Sequence, residues 1–322
     1  MIVFGRELSV SSLDKALWPE AGFTKRDLID WYSATAPLIL PHLARHPMTL
    51  GRWPDGVEGR GFYQSNCPKG APDWIPAVEV GGARYCLLEE PAALAWAANL
   101  GTLELHPLHL RVDRAGAGAV VFDLDPGAPA GLLECCDVAL LLRERLLRDE
   151  LAAVVKTSAA KGLHVFAPLD GTEDFERVKA YARSVAAELG ALHPSLVTAQ
   201  VARAERTGRV YIDWAQNDPL RSTIAPYSLR ATSRPGVSMP LRWDEIERAS
   251  AGRSSRGLWF SPAAALARLG KDGDLFATLL RGERRLPPDA GAASSHDAEE
   301  RGPRALDSGS PEQPPPGTPR GS

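Results

Sequence analysis

The stretch "VVFDLDPG" at residues 120–127 places two aspartates one residue apart at the end of an apolar run. A strand period of two puts Val121, Asp123 and Asp125 on one face and Phe122 and Leu124 on the other. Carboxylates held together on one face repel each other and lose hydration unless a cation lies between them. Alone, the pair reads more simply as a strand end whose aspartates face water, with Asp125 opening a Pro-Gly turn. A further strand shifts that balance: in "VYIDW", Tyr211 and Asp213 share a face opposite Val210 and Ile212. Three aspartates at the ends of apolar strands suit Mg²⁺ or Mn²⁺, which take oxygen ligands and keep room for water and phosphate. Two such ions stabilise the attacking and leaving oxygens of an in-line phosphoryl transfer.

A second group lies in "KTSAAKGLHVFAPL" (156–169), where Ser158, Lys161 and His164 are three residues apart with small residues between them. Small residues let backbone N–H groups approach an anion, and a hydroxyl, an ammonium and an imidazole add donors around a phosphate chain. The plainer alternative is a hairpin turn with a surface lysine and a packed histidine. The stretch is not a Walker A motif, because no Ser or Thr follows the lysine.

The elements that must position these residues alternate along the chain. Thr24 and Asp27 open "TKRDLIDWYSATAPLILPHL" as a capping-box helix. Pro91 and Gly101 bracket a second helix, "EEPAALAWAANLG". "TLELH" (102–106) alternates, with Glu104 and His106 on one side. "AGAVVFDLD" reads as a strand followed by a long amphipathic helix, "LLECCDVALLLRERLLRDEL". "AAVVKTS" and "LHVFAPL" are strands around a turn, followed by a helix over about Asp174–Leu189 and the strand "GRVYIDWAQ". Short helical patterns near Pro262–Leu269 and Asp274–Leu280 close the folded part. The fold class is mixed α/β, with strands often next to strands.

Composition sets the bounds. A length of 322 residues allows a sizeable core, and 44% hydrophobic with 24% charged residues suits a globular protein. No apolar run approaches the roughly 18 residues of a membrane span, and "MIVFGRELSV" does not resemble a signal peptide, so a cytoplasmic location is expected. Cys67, Cys86, Cys135 and Cys136 lack CxxC spacing and are expected as buried, reduced thiols. The net charge of −3 is unevenly sorted: Gln200–Arg256 holds ten arginines and no lysine against six acids. That permits a basic face. From about residue 285 onward the chain is rich in Pro, Gly, Ser and Ala and is expected as a disordered tail.

In order along the chain, "ELHP", "VFDLDPG", "KTSxxKGLHVFAPL", "VYIDWAQN" and "IAPYSLRA" resemble the polymerase domain of bacterial ATP-dependent ligase D. That family belongs to the archaeo-eukaryotic primase superfamily and acts in non-homologous end joining. The resemblance runs from about residue 3 to 280. It implies a primase-type catalytic core of mixed β-sheets flanked by helices over 1–284, with about 1–70 binding DNA ends and 285–322 forming the tail. It implies that Asp123, Asp125 and Asp213 hold two metal ions, Mn²⁺ or Mg²⁺, and that Ser158, Lys161 and His164 grip the triphosphate of an NTP or dNTP. By the same resemblance His106, Arg206, Gln216 and Arg230 line the nucleotide pocket. Lys15 and Lys25 match lysines that recognise the 5′-phosphate of a gapped duplex, Arg52 accompanies them, and Phe62 and Tyr63 match residues that stack on a templating base.

The implied reaction is templated addition of nucleotides, ribonucleotides preferred, to a primer 3′-hydroxyl at DNA gaps or broken ends. A Ku-like end-binding protein and an ATP-dependent DNA ligase are the implied partners. The ligase would be a separate protein or part of a longer chain, and the setting cytoplasmic and nucleoid-associated. The sequence departs from the family at Ala159 and Ala160, which replace two glycines, and at Ser12, where asparagine is frequent. If the loop needs positive φ, alanine strains it by roughly 1–2 kcal/mol. Two other readings are a primase or primase-polymerase that starts chains de novo and a non-catalytic adaptor that binds 5′-phosphorylated ends.

Overall fold

Among the described residues the longer apolar runs form two larger sheets, beside three two-stranded ones, and helices pack on one face of each larger sheet. The computed structural model describes residues 2–288. Helix α1 (Lys25–Leu43) starts at the expected capping box: Thr24 Oγ1 accepts from the Asp27 N–H, and Asp27 Oδ2 accepts from the Thr24 N–H at 2.7 Å. Strands β1 (Met48–Arg52), β2 (Phe62–Gln64), β3 (Ala77–Val80) and β4 (Ala83–Cys86) follow, then α2 (Pro91–Asn99) and β5 (Thr102–Pro107). These strands form one sheet in the order β2-β1-β4-β3, with β5 also paired to β1. Leu50, Leu103 and Leu105 from this sheet pack with Leu28, Trp31, Ile39 and Trp96 of the two helices.

The second sheet is built from β6 (Ala117–Pro126), β7 (Val154–Thr157), β8 (Leu163–Glu173), β9 (Val197–Thr198), β10 (Val210–Asp213) and β11 (Pro240–Leu241). Its order is β9-β10-β6-β8-β7-β11, antiparallel throughout except for β9 against β10. Helices α3 (Leu132–Arg148) and α4 (Phe175–Leu192) cover one face, joining Val138, Leu142, Val178 and Val185 to Phe122, Leu124, Val165 and Ile212. Burying each such side chain contributes about 1.5–3 kcal/mol, and a one-residue slip would expose the whole set. That is why the aspartates, at the alternate positions, face the other way. Helices α5 (Trp243–Ala251) and α6 (Pro262–Asp272) follow the last strand.

The mixed α/β class is as expected, and several local expectations are corrected. Strand β6 does not end at Asp125: Asp125 pairs with Tyr211 and Pro126 with Val210, and the missing proline N–H is tolerated because the Gly127 N–H bonds Arg209 O at 2.9 Å. Strand β8 runs past Leu169 to Glu173, and α4 continues to Leu192. The last helical pattern is a 3₁₀ turn, Ala277–Arg281. Cys67 and Cys86 are not reduced thiols but form a disulfide; the Cys67 N–H bonds Arg84 O, which brings the two Cα atoms to 5.0 Å. Cys135 and Cys136 are buried and free, as expected. The packed part also passes residue 284: Leu286 is buried and its N–H donates to Glu173 Oε1 at 3.1 Å. The rest of the expected tail lies outside the described residues. No helix among the described residues is long and apolar enough to cross a membrane.

Candidate active site

One line of register crosses the large sheet. Asp213 on β10 stands opposite Asp123 on β6, Asp123 opposite His164 on β8, and His164 opposite Lys156 on β7. Directly opposed residues bring their Cβ atoms to about 4.5–5.5 Å, so the four side chains form a continuous polar row. Asp125 lies two residues along β6, on the same face. His164 Nε2 is 3.3 Å from Asp123 Oδ1, and its Nδ1 is 3.0 Å from Lys156 Nζ. Asp213 accepts from the Ala215 N–H at 3.0 Å, the Tyr211 hydroxyl at 3.2 Å and Gln216 Nε2 at 3.3 Å.

The row is electrostatically uneven. Desolvation raises the Asp123 carboxyl to about 6, against the pull of the Lys156 and Arg230 charges. Desolvation and then the charges of Asp123 and Asp213 raise Asp125 to about 7. Asp213 is raised too, first by burial and then by Asp123. Three carboxylates that resist ionising together are a donor set for a hard cation, whose charge would remove their repulsion. Among the described residues, no three His, Cys, Asp or Glu side chains close tightly enough to cage an ion by themselves.

The small sheet supplies a second polar cluster around Glu104, which is 1% exposed. Tyr63, Gly51 and Glu104 are opposed across β2, β1 and β5. A Cβ on Gly51 would fall 2.9 Å from the Glu104 Cβ and 3.2 Å from the Tyr63 ring, so glycine lets the two meet. The Tyr63 hydroxyl donates to Glu104 Oε2 at 2.9 Å, and His106 Nε2 lies 2.8 Å from the same oxygen. Arg230 Nε is 3.4 Å from Oε1, which also accepts the Ala231 N–H at 2.9 Å. Burial alone would raise the Glu104 carboxyl, but the His106 bond and the Arg230 charge outweigh it and hold it at about 2.

The loop between β7 and β8 is closed by Ser158. Its Oγ accepts from the N–H groups of Ala160 and Gly162, at 3.3 and 3.2 Å, and donates to Gly162 O at 3.0 Å. Ala159 takes φ +55°, whereas Ala160 does not enter the left-handed region, so one of the two alanines carries the strain expected of the loop. Lys161 is exposed on it. On the far side of the row, the Arg206 guanidinium lies 3.8 Å over the Tyr211 ring, opposite Asp125.

The family model of the LigD primase-polymerase domain matches residues 24–276. This chain belongs to that family. It is a family of nucleotidyltransferases in the archaeo-eukaryotic primase superfamily. The multifunctional non-homologous end joining protein LigD of Mycolicibacterium smegmatis is 36% identical over 273 residues, covering 83% of this chain and 35% of its own. The bifunctional LigD of Bacillus subtilis is 27% identical over 242 residues, covering 75% of this chain and 40% of its own. The chain thus spans between 29% and 40% of the length of such curated relatives. The polymerase domain from Mycobacterium tuberculosis ligase D, solved in complex with DNA, superposes with a TM-score of 0.79 at 32% identity, covering 87% of this chain and 99% of that one.

Within this LigD-type domain the structure groups the expected residues in three sets. Asp123, Asp125, Asp213, His164 and Gln216 meet along the row. His106, Arg230 and Tyr63 converge on Glu104. Lys15 and Lys25 adjoin each other elsewhere: the Lys25 N–H bonds Lys15 O at 2.9 Å, and burial followed by the Lys15 charge lowers the Lys25 pKa. Lys25 Nζ donates to Ser11 O at 2.9 Å, and Lys15 Nζ to Asp55 Oδ1 at 2.7 Å. Ser12, whose carbonyl accepts the Lys15 N–H at 3.0 Å, sits at φ +52°, a conformation asparagine accepts more readily than serine. Arg52 is engaged within the fold, with Leu100 O at 3.0 Å and Gln64 Oε1 at 2.6 Å, and its guanidinium lies 5.2 Å from the centre of the Phe62 ring. Phe62 itself is 43% exposed.

Sequence reasoning missed Lys156 and Glu104. Glu104 shares a strand face with His106 in "TLELH", which was a readable signal; "VVKT" does not alternate, and Lys156 joins the site only because β8 sets His164 opposite it.

Proposed function

We propose that this chain is a DNA-repair polymerase that adds nucleotides, templated by DNA, to a primer 3′-hydroxyl at gaps or ends of double-strand breaks. The observation carrying this reading is the row in which Asp213 and Asp123 are directly opposed, with Asp125 beside them and a donor-rich loop adjoining. In the reaction the primer 3′-oxygen forms a bond to the α-phosphorus, the bond from that phosphorus to the bridging oxygen breaks, and pyrophosphate leaves. Asp123, Asp125 and Asp213 would hold two divalent ions, Mn²⁺ or Mg²⁺, which supply charge neutralisation and a more acidic 3′-hydroxyl. Lys161, Arg230 and His164 offer donors to the triphosphate, and Arg206 and Gln216 border the same side. The Lys15–Lys25 pair gathers positive charge suited to a 5′-phosphate, and the exposed rings of Phe62 and Tyr63 suit a templating base. A Ku-like end holder and an ATP-dependent ligase would act on the same break.

The test is primer extension on a short gapped duplex with Mn²⁺, comparing ribo- with deoxynucleotides and 5′-phosphate with 5′-hydroxyl. Addition that disappears in Asp125→Ala while DNA binding persists is expected, as is selective loss of phosphorylated-gap binding in Lys15→Ala. Extension by Asp125→Ala would overturn the carboxylate assignment. Efficient initiation without a primer would move the reading to a primase.

A further inference from the structure

Lys156 closes the polar row and is fully buried, an unusual place for a lysine. Its Nζ is bonded to two neutral groups, Ser238 Oγ at 2.7 Å and His164 Nδ1 at 3.0 Å. Ser238 Oγ donates its only proton to Thr157 O at 2.8 Å, so it accepts from Lys156. Burial lowers the Lys156 pKa well below that of an ordinary lysine, but charged or neutral the amine keeps an N–H for His164 Nδ1 beside the one given to Ser238, and the Asp123 carboxylate on the other side of the ring can only accept. The ring proton then resides on Nε2, the nitrogen 3.3 Å from Asp123 Oδ1. The other tautomer would set a bare Nε2 lone pair against a carboxylate oxygen.

We propose that Lys156 is a positioning residue that locks His164 as the Nε2–H tautomer, so that the imidazole presents a hydrogen-bond donor on the Asp123 side of the row, where the incoming triphosphate would lie. This rests on the polymerase reading for its consequence but not for its geometry. The arrangement resembles the way an orienting partner on one histidine nitrogen fixes what the other can do.

Selective ¹⁵N labelling of the seven histidines reads ring tautomers in the free protein, with His164 assigned by its absence in His164→Gln. The wild-type ring is expected as Nε2–H. Lys156→Met should lose that tautomer, whereas Lys156→Gln, whose amide still donates, should keep it. In primer extension Lys156→Met should raise the nucleotide KM by about tenfold, the range for loss of an orienting partner, with kcat and DNA affinity changing less. Lys156→Gln should restore most of the KM. A wild-type Nδ1–H ring overturns the proposal without any variant, even if Lys156→Met fails to fold. So does an unchanged tautomer in Lys156→Met, or a loss of activity that is equal in the Met and Gln variants and follows their loss of Tm. If wild-type protein extends no primer, the polymerase reading fails, while the tautomer still decides the role of the lysine.

Discussion

Ala159 and Ala160 look alike in sequence and differ in the fold. The left-handed φ of Ala159 crowds its Cβ against the following carbonyl, while Ala160 bears no such strain. Ala159→Gly is therefore expected to stabilise the protein by about 0.5–1 kcal/mol, the strain relieved less the entropy glycine loses on folding. Ala160→Gly should instead destabilise it by about 0.4–1 kcal/mol, because it only loosens the unfolded chain. Urea denaturation at a constant m-value separates the two; equal shifts of the same sign would contradict the geometry. Glycines at both positions, the pattern in the resembling family, would thus serve different ends, one conformational and one unrelated to φ.

At the scale of elements, Gly162 is where β8 leaves the loop and presses on β6. A Cβ there would lie 2.0 Å from Leu124 O, a ladder oxygen that cannot move away alone. Gly162→Ala should destabilise by about 1–3 kcal/mol or more and, by parting β8 from β6, separate His164 from Asp123. Thermal unfolding with primer extension checks this, and a variant with unchanged Tm and rate would count against it. The strands themselves were legible because alternation shows directly: Phe122 and Leu124 inward, Asp123 and Asp125 outward, and the Thr24–Asp27 cap with its two reciprocal bonds. What stayed hidden depended on which strands become neighbours. A lysine inside "VVKT" reads as solvent-facing until β8 sets His164 beside it, and Cys67 and Cys86 reveal their pairing only once a loop is bonded to β4. Pro126 suggested a stop to a strand that in fact continues, because β10 pairs with it on the side that needs no proline N–H.

For the whole molecule, half-buried imidazoles tie stability to pH. His46 Nδ1 lies 2.7 Å from Leu108 O, and burial holds its pKa down to about 4. Between about 6.5 and about 4 the unfolded chain takes up a proton that the folded state refuses, so stability falls as pH drops through that window, by at most about 3 kcal/mol for this residue. His46→Asn, which keeps a donor toward Leu108 O and cannot titrate, should flatten the loss between pH 7 and 5 in chemical denaturation. An unaltered pH slope would assign it to other groups, His109 among them. The polar row has a consequence for how the protein is made. Its members come from β6, β7, β8 and β10, and β11 flanks β7. During synthesis Asp123 and Asp125 leave the ribosome long before Asp213, and for that interval β6 is a bare edge carrying two like charges. The carboxylate set closes only when β10 pairs with β6, so a nascent chain released before β10 would hold Asp123 and Asp125 without the Asp213 that faces them.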